Sequence, residues 1–162
     1  MINYDLTKIR AVFFDVDGVL SVPIYKEKDE FVIGFTAEIW KAYCMEHGEY
    51  TYQYCKPVLP VKRYAEHLQA EGVVLFALTA TQSSAETQAK RKFLSKYYPG
   101  LFEEVLTVAS QKEKLDTIKI ISERYGAQLT DCELVEDTLS TLLEVRQYGI
   151  KPTHISEVVC DL

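Results

Sequence analysis

Two aspartates, Asp15 and Asp17, stand one residue apart at the end of an apolar run and directly before Gly18. Carboxylates this close repel each other, so we expect a positive partner beside them. A divalent cation is the natural candidate, because hard cations prefer oxygen ligands. The pair therefore predicts a metal-assisted or acid–base site directly after the apolar residues 11–14.

Polar residues also follow three later apolar runs closely, and they are Thr79 with Thr81, Lys112 with Lys114, and Glu136 with Asp137. Short apolar runs without polar alternation are typical of strands buried on both faces of a parallel sheet. Helical patterns separate the runs, and right-handed crossovers then place the carboxyl ends of all these strands at one edge. Ligands bind at that edge in open α/β sheets. The polar residues are therefore predicted to converge there.

Such a set of groups suits Mg²⁺-assisted transfer of a phosphoryl group, because Mg²⁺ takes a few protein oxygens and leaves positions for phosphate and water. Asp15 is then the nucleophile that forms an aspartyl-phosphate, and Asp17 protonates the leaving oxygen and later accepts a proton from water. Thr79 and backbone N–H groups around Ala80 would hold phosphate oxygens at the start of the next helix. A lysine would offset the repulsion between a carboxylate and a phosphate dianion.

The stretch after the first strand predicts a small insertion over the site, at about residues 21–59. Residues 21–35 have two apolar arms and a charged tip, which is typical of a β-hairpin. Residues 36–47 have helical spacing with Thr36 as a cap, and the alternating tyrosines of residues 49–55 predict an extended strand. The aromatic residues that could form a lid or a subunit interface are Trp40, Tyr43, Tyr50, Tyr52 and Tyr54.

Two later helices carry predictions about which side chains face outward. A helix from Ser84 to about Tyr98 is expected to turn its cations to solvent, and these are Lys90, Arg91, Lys92 and Lys96. A helix after Asp137 is expected to turn three leucines inward, and these are Leu139, Leu142 and Leu143.

Length and charge limit the classes of function. The 162 residues fit one domain over residues 1–162, and the net charge of −6 argues against binding nucleic acid by charge neutralisation. No apolar run approaches the roughly 20 residues that span a membrane, and residues 1–10 lack the apolar core of a signal peptide. The four cysteines are scattered without zinc-site spacing. We expect a cytoplasmic protein that binds neither membranes nor nucleic acid.

Four segments resemble, in order, the four motifs of the haloacid dehalogenase-like (HAD) superfamily. They are Phe13-Phe14-Asp15-Val16-Asp17-Gly18-Val19-Leu20, Leu78-Thr79, Lys114-Leu115 and Leu134-Val135-Glu136-Asp137-Thr138. The resemblance extends over residues 13–138, which is most of the chain. It implies a Rossmann-like α/β fold: a three-layer sandwich with a mostly parallel sheet, a β-hairpin flap and a small insertion after the first strand.

The resemblance also implies roles in catalysis and metal binding. Asp15 is the nucleophile and a metal ligand, and Asp17 is the acid and base and binds the metal through its backbone carbonyl. Asp137, assisted by Glu136, completes a Mg²⁺ site. The family often has a further Asp at the position of Thr141, so the site here is expected to depend more on Glu136.

For the phosphoryl group, the resemblance implies binding by Thr79, Ala80 and a lysine. Thr81 competes with Thr79, which is preferred because it directly ends the apolar run. Lys112 competes with Lys114, which is preferred because it precedes the apolar stripe of its helix.

The leading interpretation is a Mg²⁺-dependent phosphatase acting on a small phosphomonoester, at a site open enough to admit a bulky one, in a chain that could be a homo-oligomer. A phosphomutase of the same superfamily is an alternative. A non-catalytic module that accepts or binds a phosphoryl group is another, from a different class of function.

Overall fold

The structure, a computed structural model, describes residues 9–34 and 36–160. Its strands are β1 (Ala11–Phe14), β2 (Ser21–Val22), β3 (Ile24–Glu27), β4 (Glu30–Ile33), β5 (Lys56–Pro57), β6 (Val74–Ala80), β7 (Glu104–Val108), β8 (Cys132–Glu136) and β9 (Lys151–His154). Its α-helices are α1 (Ala37–His47), α2 (Leu59–Ala70), α3 (Ser84–Tyr97), α4 (Lys114–Arg124), α5 (Leu139–Arg146) and α6 (Ile155–Val159). In this part of the chain, no helix has the length and apolar character needed to cross a membrane.

A five-stranded parallel sheet with the order β7-β6-β1-β8-β9 forms the centre of the fold. Strand β1 is buried on both faces, as its unbroken apolar run predicts. Val12 and Phe14 pack in a core with residues of α2 and α3, whereas Ala11 and Phe13 pack in a second core with residues of α4 and α5. The sheet is therefore the middle of three layers, as predicted.

The insertion after β1 contains a separate hairpin and one helix. Strands β3 and β4 pair antiparallel, so the predicted hairpin is confirmed. Helix α1 begins after Thr36, whose hydroxyl accepts from the N–H of Ile39 at 3.3 Å, as predicted. Strand β2 pairs with β5 and so closes the two ends of the insertion against each other. The boundaries of a single domain over residues 1–162 with an insertion at 21–59 stay a prediction.

The predicted strand over residues 49–55 is wrong. Gly48–Tyr50 is a 3₁₀ turn, and the hydroxyl of Thr51 donates to the carbonyl of Gly48 at 2.6 Å. This local hydrogen bond stabilises a turn where alternation alone suggested an extended strand. The tyrosines consequently do not share a face, because Tyr50 is 63% exposed while Tyr52 is 5% exposed.

One prediction near the carboxyl end of the chain also needs correction. Leu142 packs inward from α5, but Leu139 and Leu143 are 65% and 59% exposed, because the short helix contacts the core through one narrow face. After α5 the chain adds the edge strand β9 and continues from Ile155 as helix α6.

Candidate active site

The predicted convergence of strand-end residues is present at the carboxyl edge of the sheet. Asp15 directly follows β1, and its N–H donates to the carbonyl of Val135 at 3.0 Å, so the β1–β8 pairing continues up to it. Lys114, the first residue of α4, extends its ammonium to Asp15 Oδ1 at 2.8 Å and to Glu136 Oε2 at 2.6 Å. All three side chains are buried. One lysine therefore joins the ends of two neighbouring strands.

The turn after Asp15 brings the exposed Asp137 against the same site. Gly18 has a φ of +78°, a conformation that L side chains rarely adopt. A Cβ at Gly18 would overlap Asp137 Oδ2. Gly18 is thus needed both for the turn and for the close approach of Asp137.

Asp17 is held by two side chains from distant parts of the chain. Its Oδ2 lies 2.8 Å from the ammonium of Lys90, on α3. Its Oδ1 accepts a hydrogen bond from the hydroxyl of Tyr52, which lies in the insertion. Burial, and next the negative charge of Asp17, raise the pKa of Tyr52 well above its ordinary value, so Tyr52 keeps its proton and donates it.

Lys90 faces the interior, so its predicted place on a solvated face is wrong. Its side chain is fully buried and donates to Thr79 Oγ1 at 2.8 Å and to the carbonyl of Ala80 at 2.6 Å. It also pairs with Glu86 Oε1 at 3.1 Å, one helical turn earlier. The sequence holds a signal for this: Lys90 lies four residues after Glu86 and three before Phe93, on the face of α3 that is buried.

The two threonines and the two lysines between which the sequence left a choice have different surroundings in the structure. Thr79 is buried and lines the site, whereas Thr81 accepts from the Thr87 hydroxyl at 3.0 Å. Lys112 is exposed in a 3₁₀ turn over Gln111–Glu113, while Lys114 is buried against Asp15. The geometry favours Thr79 and Lys114, and their roles stay predictions.

The pKa values of Asp15, Glu136 and Lys114 are all raised, but for different reasons. Burial raises the pKa of Asp15 to about 7; Lys114 opposes the rise, and the charges of Glu136 and Asp17 add to it. Burial also raises the pKa of Glu136, and Lys114 again opposes the rise. For Lys114 itself burial favours the neutral amine, but Asp15 and Glu136 outweigh burial and raise its pKa. The site therefore stabilises the charged form of Lys114 and destabilises the charged forms of Asp15 and Glu136.

A cavity of about 540 Å³ opens above these groups. The insertion forms one wall of it, because Trp40, Lys41 and Cys44 of α1 line the cavity. Burial raises the pKa of the Cys44 thiol to about 12, so Cys44 is not a thiolate nucleophile near neutral pH. The cavity is also lined by Asp15, Asp17, Thr79, Ala80, Gln82, Glu86, Ala109, Ser110, Gln111 and Asp137.

Three of the aromatic residues suggested for a subunit interface are instead buried within the chain. Trp40, Tyr43 and Tyr52 are 9%, 7% and 5% exposed. The ring of Trp40 stacks on that of Tyr43 and meets the edge of Tyr52. These three rings therefore pack inside the chain's own core, and the homo-oligomer stays a prediction.

Comparisons with known proteins identify the fold. No protein-family model matches the sequence, and no curated protein is similar to it. Among solved structures, a predicted phosphoglycolate phosphatase from Haemophilus somnus has a TM-score of 0.63 at 15% identity, over 95% of this chain and 92% of that one. A haloacid dehalogenase-like family hydrolase from Xanthomonas campestris has a TM-score of 0.57 at 13% identity, over 89% and 81%. The chain has the haloacid dehalogenase-like fold.

A third solved structure with this fold was determined with ligands. The 3-deoxy-D-manno-octulosonate 8-phosphate phosphatase from Moraxella catarrhalis was solved in complex with a magnesium ion, a phosphate ion and a KDO molecule. It has a TM-score of 0.51 at 21% identity, and the alignment covers 89% of this chain and 66% of that one. The expected fold is thus confirmed, whereas this level of identity leaves substrate and metal to be argued from the residues.

The carboxylates of this HAD-fold site fit a divalent cation. Asp15, Glu136 and Asp137 each offer an oxygen, and these oxygens lie within 4.8 Å of one another. Glu136 is the most engaged of them, because its Oε2 accepts from Lys114 and its Oε1 accepts from the N–H of Asp137 at 3.2 Å. Hard oxygen ligands in a cluster of excess negative charge are the donor set that Mg²⁺ prefers. The ligand roles of Asp15, Asp17, Glu136 and Asp137 stay predictions.

Proposed function

We propose that this protein is a Mg²⁺-dependent phosphatase that hydrolyses a small phosphomonoester through an aspartyl-phosphate on Asp15. The observation that carries the proposal is the contact of Lys114 with both Asp15 and Glu136 beneath an open cavity. A buried lysine that neutralises a carboxylate at a cavity floor lets that carboxylate approach a phosphate dianion. The HAD fold supports this chemistry only by analogy with other proteins of the same fold.

In the first step, a carboxylate oxygen of Asp15 forms a bond to phosphorus while the bond from phosphorus to the leaving oxygen breaks. Asp17, in the proposed role of general acid, delivers a proton to that leaving oxygen, so the product alcohol departs neutral. Lys114 engages Oδ1 of Asp15, which favours Oδ2 as the attacking oxygen. Thr79 and Ala80 line the cavity, and the hydroxyl of Thr79 with the backbone near Ala80 would hold the phosphoryl oxygens.

In the second step, water attacks phosphorus and the bond from phosphorus to Asp15 breaks. Asp17, in the proposed role of general base, takes a proton from the water, so both aspartates return to their starting states. Asp15 and Asp137, with Glu136 and the backbone carbonyl of Asp17, are the residues that would hold Mg²⁺. When bound, Mg²⁺ supplies charge neutralisation for the phosphoryl oxygens and the nucleophile.

The cavity favours a small polar substrate. Its volume of about 540 Å³ suits a metabolite-sized ligand. Lys41 lies exposed on its α1 wall and, among the residues that the structure describes, takes part in no ion pair. An exposed ammonium at the wall favours a substrate with a second anionic or strongly polar group beyond the phosphate.

A screen of sugar phosphates, nucleotides and short phosphorylated acids, with Mg²⁺ and with EDTA, tests the proposal. We expect phosphate release that requires Mg²⁺ and is absent in Asp15→Asn. Asp116→Asn, which removes an exposed carboxylate of α4, is the matched control and should remain active.

Each alternative has its own signature in the same screen. Interconversion of two isomeric sugar phosphates without net phosphate release would identify a phosphomutase. A stable phosphoprotein without turnover would identify a phospho-acceptor module. Equal inactivity of the wild type and Asp15→Asn on every substrate would contradict the phosphatase proposal.

A further inference from the structure

Lys90 is the second buried cation of the site, and its contacts differ in kind from those of Lys114. Lys114 binds the nucleophile side, Asp15 and Glu136. Lys90 binds the hydroxyl of Thr79 and the carboxylate of Asp17, each at 2.8 Å. Its ammonium therefore joins the predicted phosphate-binding residue to the predicted acid and base.

The surroundings of Lys90 are built to keep an ammonium in the interior. A fully buried lysine is tolerated only when it is paired and hydrogen-bonded. Lys90 has two carboxylates, a hydroxyl and a carbonyl as acceptors, the last two at Thr79 and Ala80. Burial favours its neutral form, yet Asp17 and Glu86 outweigh burial and raise its pKa.

A purely structural role does not account for this arrangement. Apolar residues at positions 86 and 90 together would fill the same space without burying charges, and such replacements of whole buried ion pairs are often neutral or stabilising. What an apolar residue could not do is bind Thr79 and Asp17 at once. Both of these residues line the cavity, whereas Lys90 lies behind them.

We propose that Lys90 is a positioning residue that fixes the carboxylate of Asp17 and the hydroxyl of Thr79 on the same side of the phosphoryl group, with Tyr52 holding the other oxygen of Asp17. The inference rests on the proposed phosphatase function. It assigns to α3 a direct part in orienting the acid and base, which the insertion completes through Tyr52.

The role predicts a selective kinetic defect in Lys90→Met. Proton donation matters for an alkyl phosphate, whose leaving alkoxide is a strong base, and matters little for 2,4-dinitrophenyl phosphate, whose leaving group departs unprotonated. We expect kcat for the alkyl phosphate to fall about 100-fold and kcat for the aryl phosphate to fall less than about 5-fold. KM should rise by a similar small factor for both substrates, because Thr79 loses the same partner.

Matched variants separate positioning from folding. Lys92→Met removes an exposed lysine of the same helix that pairs with Glu49, and it should leave both rates unchanged. Lys90→Arg keeps the charge and should restore part of the alkyl phosphate rate. Since Lys90→Met leaves Glu86 buried without its cation, Lys90→Met/Glu86→Gln is the second variant if the single one fails to fold, and the same selective defect is expected.

The outcomes distinguish this inference from the proposed function. If the wild type is active and Lys90→Met loses both rates equally, or loses neither, the positioning role is overturned and the phosphatase function stands. If the wild type hydrolyses no phosphate ester, the proposed function fails, and calorimetric binding of inorganic phosphate decides the role of Lys90. We then expect roughly tenfold weaker binding by Lys90→Met through Thr79; equal affinity, or no binding by the wild type, would overturn the role as well.

Discussion

Among residues 9–34 and 36–160, buried charged side chains lie in two clusters, and these clusters are built differently. The site cluster contains the buried or partly buried residues Asp15, Asp17, Glu86, Lys90, Lys114 and Glu136. The Glu133 cluster lies at the start of β8, where Glu133 accepts from Tyr64 at 2.9 Å and from Thr153 at 2.7 Å and pairs with Lys151 at 3.1 Å. The first cluster lies at a cavity, whereas the carboxylate at the centre of the second is 1% exposed.

The difference lies in the balance of acids and donors. In the Glu133 cluster one carboxylate meets one ammonium and two hydroxyls, so each group is satisfied by the others. In the site cluster carboxylates outnumber lysines, and the pKa of Asp15 is raised to about 7 by burial, with Glu136 and Asp17 contributing. Excess negative charge held at a cavity is unfavourable for the folded chain and useful for binding a cation and a phosphoryl group. The comparison therefore distinguishes a cluster suited to the proposed chemistry from a structural one.

The largest expected effect is that of Asp15→Asn, which should lower phosphatase activity by at least about 10⁴-fold because it removes the nucleophile. Its effect on stability should have the opposite sign. Because the pKa of folded Asp15 is raised from 3.8 to about 7, the folded state holds this proton more tightly than the unfolded state. Unfolding free energy of the metal-free wild type therefore falls as pH rises from about 4 to 7, and Asn escapes this loss.

Thermal unfolding in EDTA at pH 5 and pH 8 checks this expectation. The midpoint of Asp15→Asn should exceed that of the wild type by more at pH 8 than at pH 5. If the midpoint of Asp15→Asn is lower than that of the wild type at both pH values, the Asp15 carboxylate stabilises the fold, as we expect of the Glu133 carboxylate in its cluster.

Lys114→Met should have the next largest effect, about a 10³-fold loss of activity, because Asp15 then faces the phosphate without its ammonium. It should also lower the free energy of unfolding by about 3 kcal/mol, since Asp15 and Glu136 stay buried without their cation. Lys112→Met removes an exposed lysine two residues earlier and is the matched control. Steady-state kinetics and urea unfolding measure both effects. Equal activity of the two variants would contradict the assignment of the catalytic role to Lys114 rather than Lys112.

Local patterns in the sequence predict the frame of the site but not all of its contacts. The apolar runs and the acidic pair predict the strands and the position of Asp15, because burial and strand ends are local properties. The contacts of Lys90 and Tyr52 with Asp17 join residues far apart in the chain, and only the tertiary fold brings them together. Likewise, the 3₁₀ turn before α4 decides which lysine faces inward, and the spacing of Lys112 and Lys114 alone does not.

Glu133→Gln tests the structural half of the comparison with an isosteric change. It removes the charge opposite Lys151 and weakens the hydrogen bonds from Tyr64 and Thr153, so unfolding free energy should fall by about 2 kcal/mol. Activity of the folded fraction should equal that of the wild type. Urea unfolding and kinetics at a temperature below the transition measure the two quantities. A drop in kcat without a drop in stability would mean that the two clusters are coupled.

Tyr52→Phe and Tyr64→Phe form a matched pair with the smallest expected effects. Each tyrosine donates its hydroxyl to a carboxylate, Tyr52 to Asp17 in the site cluster and Tyr64 to Glu133 in the other. Tyr52→Phe should lower kcat for an alkyl phosphate about tenfold, because Asp17 loses one of the two contacts that orient it. Tyr64→Phe should leave kcat unchanged and lower unfolding free energy by about 1 kcal/mol. Measured together by kinetics and urea unfolding, the two variants should change different quantities, and a shared loss of stability with unchanged kcat would make the Tyr52 contact structural too.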